Sequence, residues 1–354
     1  MPSLVLDHLD TYGPDHCEPL NYEQATAYTA QLTRAQYENF TVVSWLLPKR
    51  LREHFTHIYA FCRWADDLGD ETGDPQRSRE LLDWWRDELD RCYAGEPRHP
   101  VYVALKPTID RFDIPRKPFD DLIDAFIQDQ TVTRYKTWEQ LLDYCTRSAN
   151  PVGRLVLYLC NHRDEQRQRL SDATCTALQL ANFWQDVRRD ILERGRVYIP
   201  ADVANKHQLN IELLVKAVKL DADRETDRQA CPSCSNAGPT VGLRAQLPAY
   251  RATLRELVSR TWPMFEHGRS LWPMIEPDVR VDIKLFTLGG ERVLRMIERA
   301  DYETARRRPK LGKLAKTGLI SRALIGKLLT FNTAGRLTSP DHDATTGGSS
   351  TSSA

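Results

Sequence analysis

The chain has 354 residues, of which 41% are hydrophobic and 28% charged, so it contains enough apolar material for a large buried core. Lysine plus arginine and aspartate plus glutamate both number 49, so no global field favours nucleic acid as a partner. The longest apolar runs, such as residues 155–160, are too short to span a membrane, and the N terminus lacks a signal-peptide pattern. Eight scattered cysteines fit a reducing compartment, and we expect a cytoplasmic protein that is at most peripheral to a membrane.

Apolar residues recur at helical spacing, and no stretch of useful length alternates as a strand would. The pattern predicts an all-α fold, a single domain of antiparallel helices around a central cavity over residues 21–335. We expect a loose N-terminal arm at residues 1–20 and a disordered Ser/Thr/Gly-rich tail at residues 336–354. The predicted helices run from Asn21 to Tyr37 and from Pro48 to about Asp70, and they cover residues 77–93, 100–112, 118–130, 138–159, 171–193, 248–272 and 279–305. The pattern over 138–159 is interrupted at Asn150-Pro151 and Gly153, where we expect a kink.

The helix that begins at Pro48 carries an acidic motif on one face. Tyr59, Arg63, Asp66 and Asp70 recur at steps of three or four residues, which places them on the same side of a helix. Asp66 and Asp70 are one turn apart, and like charges at that spacing destabilise a helix unless something compensates them. A divalent cation is one compensation, and a solvated acidic face is the more ordinary explanation for a single pair.

A second copy of the motif lies about 120 residues later. Gln179, Asn182, Asp186 and Asp190 are separated by three, four and four residues, so they also share one helix face. Two acidic stripes of this kind predict the two walls of a Mg²⁺-diphosphate site, in which metal ions neutralise a leaving group. Amides and arginine would bind the oxygens of the diphosphate.

Two other stretches stand out near the C terminus. Residues 221–247 are charged and then turn-forming, so we predict an exposed inserted loop; its Cys231 and Cys234 have metal-ligand spacing but lack a second pair for zinc. Residues 306–316 are basic and residues 319–329 apolar. This segment fits either an anionic membrane surface or a last helix packed on the core.

With both motifs in view, the chain resembles the squalene/phytoene synthase family. The family's two aspartate-rich motifs are similar to Asp66-Asp67-Leu-Gly-Asp70-Glu71 and Asp186-Val-Arg-Arg-Asp190, and residues 39–48, 143–154 and 195–200 are similar to its flanking segments. The likeness runs from about residue 22 to residue 329. Within the family, residues 40–44, 61–67, 128–135, 147–153 and 182–186 look most like the hydroxysqualene synthase branch.

The resemblance implies an isoprenoid-synthase fold, a cluster of two or three Mg²⁺ ions and no NADPH. The substrate would be presqualene diphosphate or farnesyl diphosphate. In the hydroxysqualene synthase branch, presqualene diphosphate ionises and water captures the cation. The alternatives are a head-to-head condensing enzyme that makes presqualene diphosphate, dehydrosqualene or phytoene, and a non-catalytic family member that serves as an assembly factor.

The resemblance also assigns roles to residues. The implied metal ligands are Asp66, Asp70, Asn182, Asp186 and Asp190, and the four aspartates together with Tyr144 form the implied catalytic set. Diphosphate-binding roles fall on Asn39, Thr41, Tyr59, Arg63, Gln179, Asn182, Arg196 and Tyr198, and isoprenoid-cavity roles on Phe40, Ala149, Val152 and Gly153. The amides of Asn182 and Gln185 are candidates to orient the attacking water. Arg196 lies ten residues after Asp186, one more than the family spacing, which leaves its place in the site open.

Overall fold

The structure is a computed structural model that describes residues 4–36, 47–229 and 240–309. Within these ranges the regular structure is helical, and the extended contacts are two isolated bridges, Tyr12–Cys17 and Arg134–Val197. The all-α prediction is therefore confirmed. The predicted site residues Asn39, Phe40 and Thr41, together with Cys231, Cys234 and everything beyond residue 309, lie outside the described residues.

The helices follow one another with short connections. Two short helices, α1 (Leu4–Asp7) and α2 (Leu9–Tyr12), precede α3 (Tyr22–Gln36). The next six are α4 (Lys49–Asp70), α5 (Pro75–Ala94), α6 (Pro100–Phe112), α7 (Lys117–Gln128), α8 (Trp138–Ser148) and α9 (Asn150–Leu159). The last five are α10 (Glu165–Arg189), α11 (Ala201–Lys206), α12 (Ile211–Gln229), α13 (Val241–Gly268) and α14 (Pro277–Arg299). A π turn (Asp190–Arg194) extends α10, and a 3₁₀ turn (Arg269–Met274) follows α13.

Local sequence signals explain several of the boundaries. Thr137 caps α8 by accepting a hydrogen bond from the backbone N–H of Gln140, and Asp164 caps α10 in the same way through Arg167. The long apolar pattern over residues 138–159 breaks into α8 and α9 at Ala149, directly before the Asn150-Pro151 pair. Pro151 lacks the N–H that a continuous helix would need, and it suits the first turn of a new helix instead.

Two segment predictions need correction. Residues 221–229 continue α12 and residues 241–247 begin α13, so the predicted loop is wrong for both flanks of residues 230–239. The charge of residue 221 misled the prediction because Asp221 is buried: its carboxylate accepts the N–H of Thr240 at 3.0 Å and pairs with Arg188 at 3.3 Å. The N-terminal arm is partly helical, and its Val5 is fully buried in the core.

The core has two hydrophobic clusters. One is centred on α4 to α7 and includes Phe61, Trp64 and Trp85; the other surrounds the C-terminal half of α10 and includes Trp184 and Tyr250. Each aspartate motif therefore lies on a helix that is fixed by its own cluster. Among the described residues, none of the helices combines the length and apolarity that crossing a bilayer requires.

Candidate active site

A polar cavity of about 340 Å³ brings the two aspartate motifs together. Asp66 and Asp70 enter it from α4, whereas Asp186 enters from α10 and Asp190 from the π turn. Helical spacing aligns each pair along its own helix, and the packing of the two helices then places the pairs in one cavity. The other predicted residues that line this cavity are Tyr144, Gln179, Asn182, Arg196 and Tyr198.

An apolar cavity of about 380 Å³ shares the same two helices. Cys62 of α4 lines it one turn before Asp66, and Leu178 of α10 lines it one turn before Asn182. One turn of helix rises about 5.4 Å, so along both helices the apolar lining gives way to carboxylates and amides within one turn. Val152 and Gly153, to which the family resemblance assigns an isoprenoid wall, line the apolar cavity.

Two arginines that follow the second motif reach across to the first. Arg194 Nη2 lies 2.8 Å from Asp70 Oδ2, and Arg196 Nη1 lies 2.9 Å from Asp70 Oδ1. The π turn explains how the longer spacing is accommodated, because a π turn takes up one extra residue within a helix. Arg196 therefore reaches the polar cavity despite the additional residue.

Each aspartate pair also shows the mutual repulsion expected of close carboxylates. Desolvation by the cavity walls, followed by the charge of Asp70, raises the pKa of Asp66 to about 6 against the opposing effect of Arg63. Burial and the charge of Asp186 raise the pKa of Asp190 to about 7 in the same way. Both pairs are thus sites where a cation would relieve an unfavourable charge.

Asp129 is a site residue for which the sequence pattern favours a solvated helix end over a place in the site. Its buried carboxylate lines the polar cavity, accepts a 2.7 Å hydrogen bond from Tyr144 OH, and lies 3.6 Å from Arg196 Nη1. Burial raises its pKa to about 7, although Arg196 and Tyr144 oppose the shift. The available signal was an acid at the end of the apolar stripe of α7, which is more often a solvated helix end.

Aromatic rings form a stack beside these charges. The rings of Phe183 and Tyr198 are parallel within 7°, with centroids 3.7 Å apart, and Tyr144 stacks on Tyr198 at 6.1 Å. All three rings line the polar cavity. Their faces carry partial negative charge, which suits a wall next to a developing cation.

Four predicted residues do not lie in the cavity to which they were assigned. Tyr59 lines the apolar cavity rather than the diphosphate region, and Arg63 pairs with Asp67 and, at 3.3 Å, with Asp66. The burial of Asp67 explains this, because a buried carboxylate needs a partner and Arg63 is one turn away. Ala149 is buried without lining either cavity, and Gln185 donates to the carbonyl oxygen of Pro309 at 2.6 Å instead of facing a water site.

The donor set of the polar cavity fits magnesium ions that are shared with a substrate. No three His, Cys, Asp or Glu side chains in the part of the chain that the structure describes converge closely enough to hold one ion. Carboxylate oxygens that arrive in pairs from two walls instead match the usual mode for Mg²⁺, in which one or two carboxylates and substrate phosphates share the ion. The residues that would hold it are Asp66, Asp70, Asp186 and Asp190, with the amide of Asn182 beside them.

Comparisons with known proteins agree on one family. The family model for squalene/phytoene synthase matches residues 33–231. A hydroxysqualene synthase of Rhodopseudomonas palustris is 31% identical over 75% of this chain and 80% of its own length, and a presqualene diphosphate synthase of Zymomonas mobilis is 30% identical over 68% and 87%. The crystal structure of squalene synthase HpnC from Alicyclobacillus acidocaldarius superposes with a TM-score of 0.67 at 39% identity, covering 79% of this chain and 95% of that one.

Proposed function

Because the chain belongs to the squalene/phytoene synthase family, a family of enzymes with the isoprenoid-synthase fold, we propose that it is a hydroxysqualene synthase. The reaction converts presqualene diphosphate and water to hydroxysqualene and diphosphate. The carbon–oxygen bond to the diphosphate breaks with its electron pair on the leaving group. A water oxygen then bonds to the rearranged cation and loses a proton.

The observation that carries this proposal is the pair of cavities on shared helices. A prenyl diphosphate has one highly charged end and one long apolar end. Along both α4 and α10, an apolar lining is followed by a polar one, which matches these two ends. The apolar cavity also suits a carbocation, because it excludes most of the water that would quench the cation prematurely.

The chain's own residues would divide the work at the polar end. Magnesium, when bound, withdraws electrons from the diphosphate and so assists cleavage of the carbon–oxygen bond. Arg194 and Arg196 already converge on Asp70 at the cavity and can donate hydrogen bonds to phosphate oxygens. The faces of Tyr144, Phe183 and Tyr198 can stabilise positive charge on the departing carbon.

Water capture rests on likeness to named relatives. The hydroxysqualene synthase of Rhodopseudomonas palustris supports it. A second candidate is head-to-head condensation of two farnesyl diphosphates, which the 30% identity to a presqualene diphosphate synthase supports. Both reactions begin with the same ionisation, so the site described above serves either of them.

Separate incubations with farnesyl diphosphate and with presqualene diphosphate, with Mg²⁺ and with or without NADPH, test the proposal. We expect presqualene diphosphate to give hydroxysqualene with Mg²⁺ alone, and in water enriched in oxygen-18 the product should gain one heavy oxygen by mass spectrometry. Turnover of farnesyl diphosphate to presqualene diphosphate only would establish the second candidate. A hydrocarbon product without oxygen would refute water capture.

A further inference from the structure

A segment that follows α14 runs back towards the second aspartate motif. We call residues 300–309 the C-terminal strap. Its base is fixed on α13, because the buried Thr304 shares a 2.6 Å hydrogen bond with Tyr250 OH. Arg251 of α13 adds an ion pair to Asp301 at 2.8 Å and a second one to Glu303. The strap is therefore anchored independently of the active site.

The far end of the strap lies on α10 at the polar cavity. The Arg308 guanidinium holds both oxygens of Asp186, through Nε on Oδ1 and through Nη2 on Oδ2 at 3.0 Å. Next to it, Gln185 Nε2 donates to the carbonyl oxygen of Pro309. Arg308 itself lines the polar cavity. One of the four aspartates, Asp186, is therefore already paired with a cationic side chain that comes from neither of the two motif helices.

This contact and a bound metal compete for Asp186. A two-pronged guanidinium uses one lone pair on each carboxylate oxygen and sets its positive charge against both of them. A magnesium ion on either oxygen would have to lie close to this guanidinium. Two positive groups on one carboxylate would also repel each other.

We propose that Arg308 is a positioning residue that holds Asp186 in place of a divalent cation and gives it up when the cation binds. Loading of the site then releases the end of the C-terminal strap from α10, while Thr304 keeps its base in place. The inference rests on the proposed function in one respect, namely that Asp186 is a metal ligand.

Metal affinity without turnover provides the first test. Mn²⁺ alone is titrated into the full-length protein, and free Mn²⁺ is measured by electron paramagnetic resonance. Arg308→Ala should bind Mn²⁺ about three- to fivefold more tightly than wild type, which is the scale of one lost ion-pair competitor. Arg308→Lys keeps the charge without the two-pronged geometry. Its Mn²⁺ affinity should lie between those of wild type and Arg308→Ala.

The matched control is Arg306→Ala. Arg306 carries the same charge on the same strap but pairs with Glu303 at 3.7 Å instead of Asp186. Its removal changes the overall charge equally and should leave the Mn²⁺ affinity within about 1.5-fold of wild type, since distant surface charges are screened. Equal tightening in both alanine variants, or weaker binding in Arg308→Ala, would overturn the role of Arg308.

Hydrogen exchange of the strap gives an independent readout. Saturating Mn²⁺ should speed amide exchange in residues 306–308 of the wild-type protein and leave Arg308→Ala, which already exchanges fast, unchanged. Metal binding with no change in exchange would refute release of the strap and leave the proposed function standing. Failure of every variant to bind Mn²⁺, both alone and with inorganic diphosphate present, would instead count against the metal site, and both proposals would fall together.

Discussion

At the scale of single residues, the four aspartates around the polar cavity differ in their neighbours. Asp70 is held by Arg194 and Arg196, and Asp186 by Arg308, whereas Asp66 and Asp190 have raised pKa values because burial and a neighbouring carboxylate disfavour their charge. A neutral amide in place of Asp66 or Asp190 would relieve repulsion and remove a proposed metal ligand at once. Stability and activity should therefore respond in opposite directions.

Asp66→Asn is the sharpest variant for this comparison. We expect the melting temperature to stay the same or rise, because one of two adjacent charges on α4 is lost. Metal-assisted ionisation is the difficult step of the proposed reaction, so turnover of presqualene diphosphate should fall at least about 100-fold. Asp143→Asn is the control: Asp143 is 63% exposed and pairs with Arg147 outside the cavity. Turnover of Asp66→Asn within twofold of this control would contradict the metal role.

Tyr144 and Asp129 are coupled by the hydrogen bond that joins them. That bond favours the ionised carboxylate, so Tyr144→Phe should raise the pKa of Asp129 above its present value of about 7. Carbon-13 NMR of labelled aspartate carboxyls measures this titration, and Asp129→Asn identifies the signal by its disappearance. A pKa that is unchanged or lowered in Tyr144→Phe would show that the hydrogen bond does not control this carboxyl.

At the scale of elements, the close crossing of α14 with α10 and α13 depends on one of two adjacent glycines. A Cβ atom on Gly290 would lie 2.5 Å from Phe265 Cζ and 2.6 Å from a methyl carbon of Leu178, whereas a Cβ on Gly289 would have no atom within 4 Å. Both glycines have ordinary helical conformations, so only the packing distinguishes them. Leu178 also lines the apolar cavity, so this crossing helps to position its wall.

Gly290→Ala should therefore destabilise the protein by about 1–3 kcal/mol, because the buried ring of Phe265 has to shift. Gly289→Ala should stabilise it by up to about 1 kcal/mol, since alanine is the better helix former. Urea unfolding of the two variants and wild type measures both changes. Equal effects of the two substitutions would mean that the helices do not approach at Gly290 as closely as described.

At the scale of the whole molecule, the sequence predicted helices and their faces better than relations between helices. Pro151 acts within one turn, so the break before it could be predicted directly, whereas the predicted start at residue 171 overlooked the cap at Asp164, and the helix begins at Glu165. Asp129 and Asp221 were misjudged because a charged residue looks solvated until its partners are known. Those partners, Arg196 and Arg188, lie 67 and 33 positions away in the chain.

The polar cavity shows the same limit: the sequence pattern predicts the residues on each helix better than the contacts between distant segments. Repetition of the spacing predicted that Asp66, Asp70, Asp186 and Asp190 would meet, because two acidic helix faces of this kind are explained by one site that both of them line. Nothing in the spacing predicted that Arg308, which follows α14, would pair with Asp186. A contact that joins Arg308 to a helix 122 positions earlier leaves no periodic pattern in the sequence.

Glu256 forms a cluster whose effect belongs to the stability of the whole molecule. Its carboxylate pairs with Lys206 at 2.8 Å and His207 at 2.7 Å, both at the end of α11, and with Arg260 of α13 at 2.6 Å. The hydrogen bond from Lys206 contributes most to lowering the pKa of Glu256 to about 2, with further contributions from His207 and Arg260. The cluster thus ties the short helix α11 to the long helix α13.

The folded pKa of Glu256 lies below the unfolded value of about 4.3–4.5, so its ionised form stabilises the native state. This stabilisation is fully present above about pH 5 and is lost as the pH falls through 4.5 towards 2. At pH 7, Glu256→Gln should lower the free energy of unfolding by about 1 kcal/mol, a value that allows for screening by solvent at the protein surface. Urea unfolding at pH 7, 5, 4 and 3 should show this difference shrinking steadily below pH 5.

The control is Glu212→Gln. It breaks a single 3.3 Å pair with Arg134 at a side chain that is 69% exposed, and it should show no measurable difference from wild type at any pH. A deficit in Glu256→Gln that stays constant down to pH 3 would mean that Glu256 acts through packing rather than through its charge.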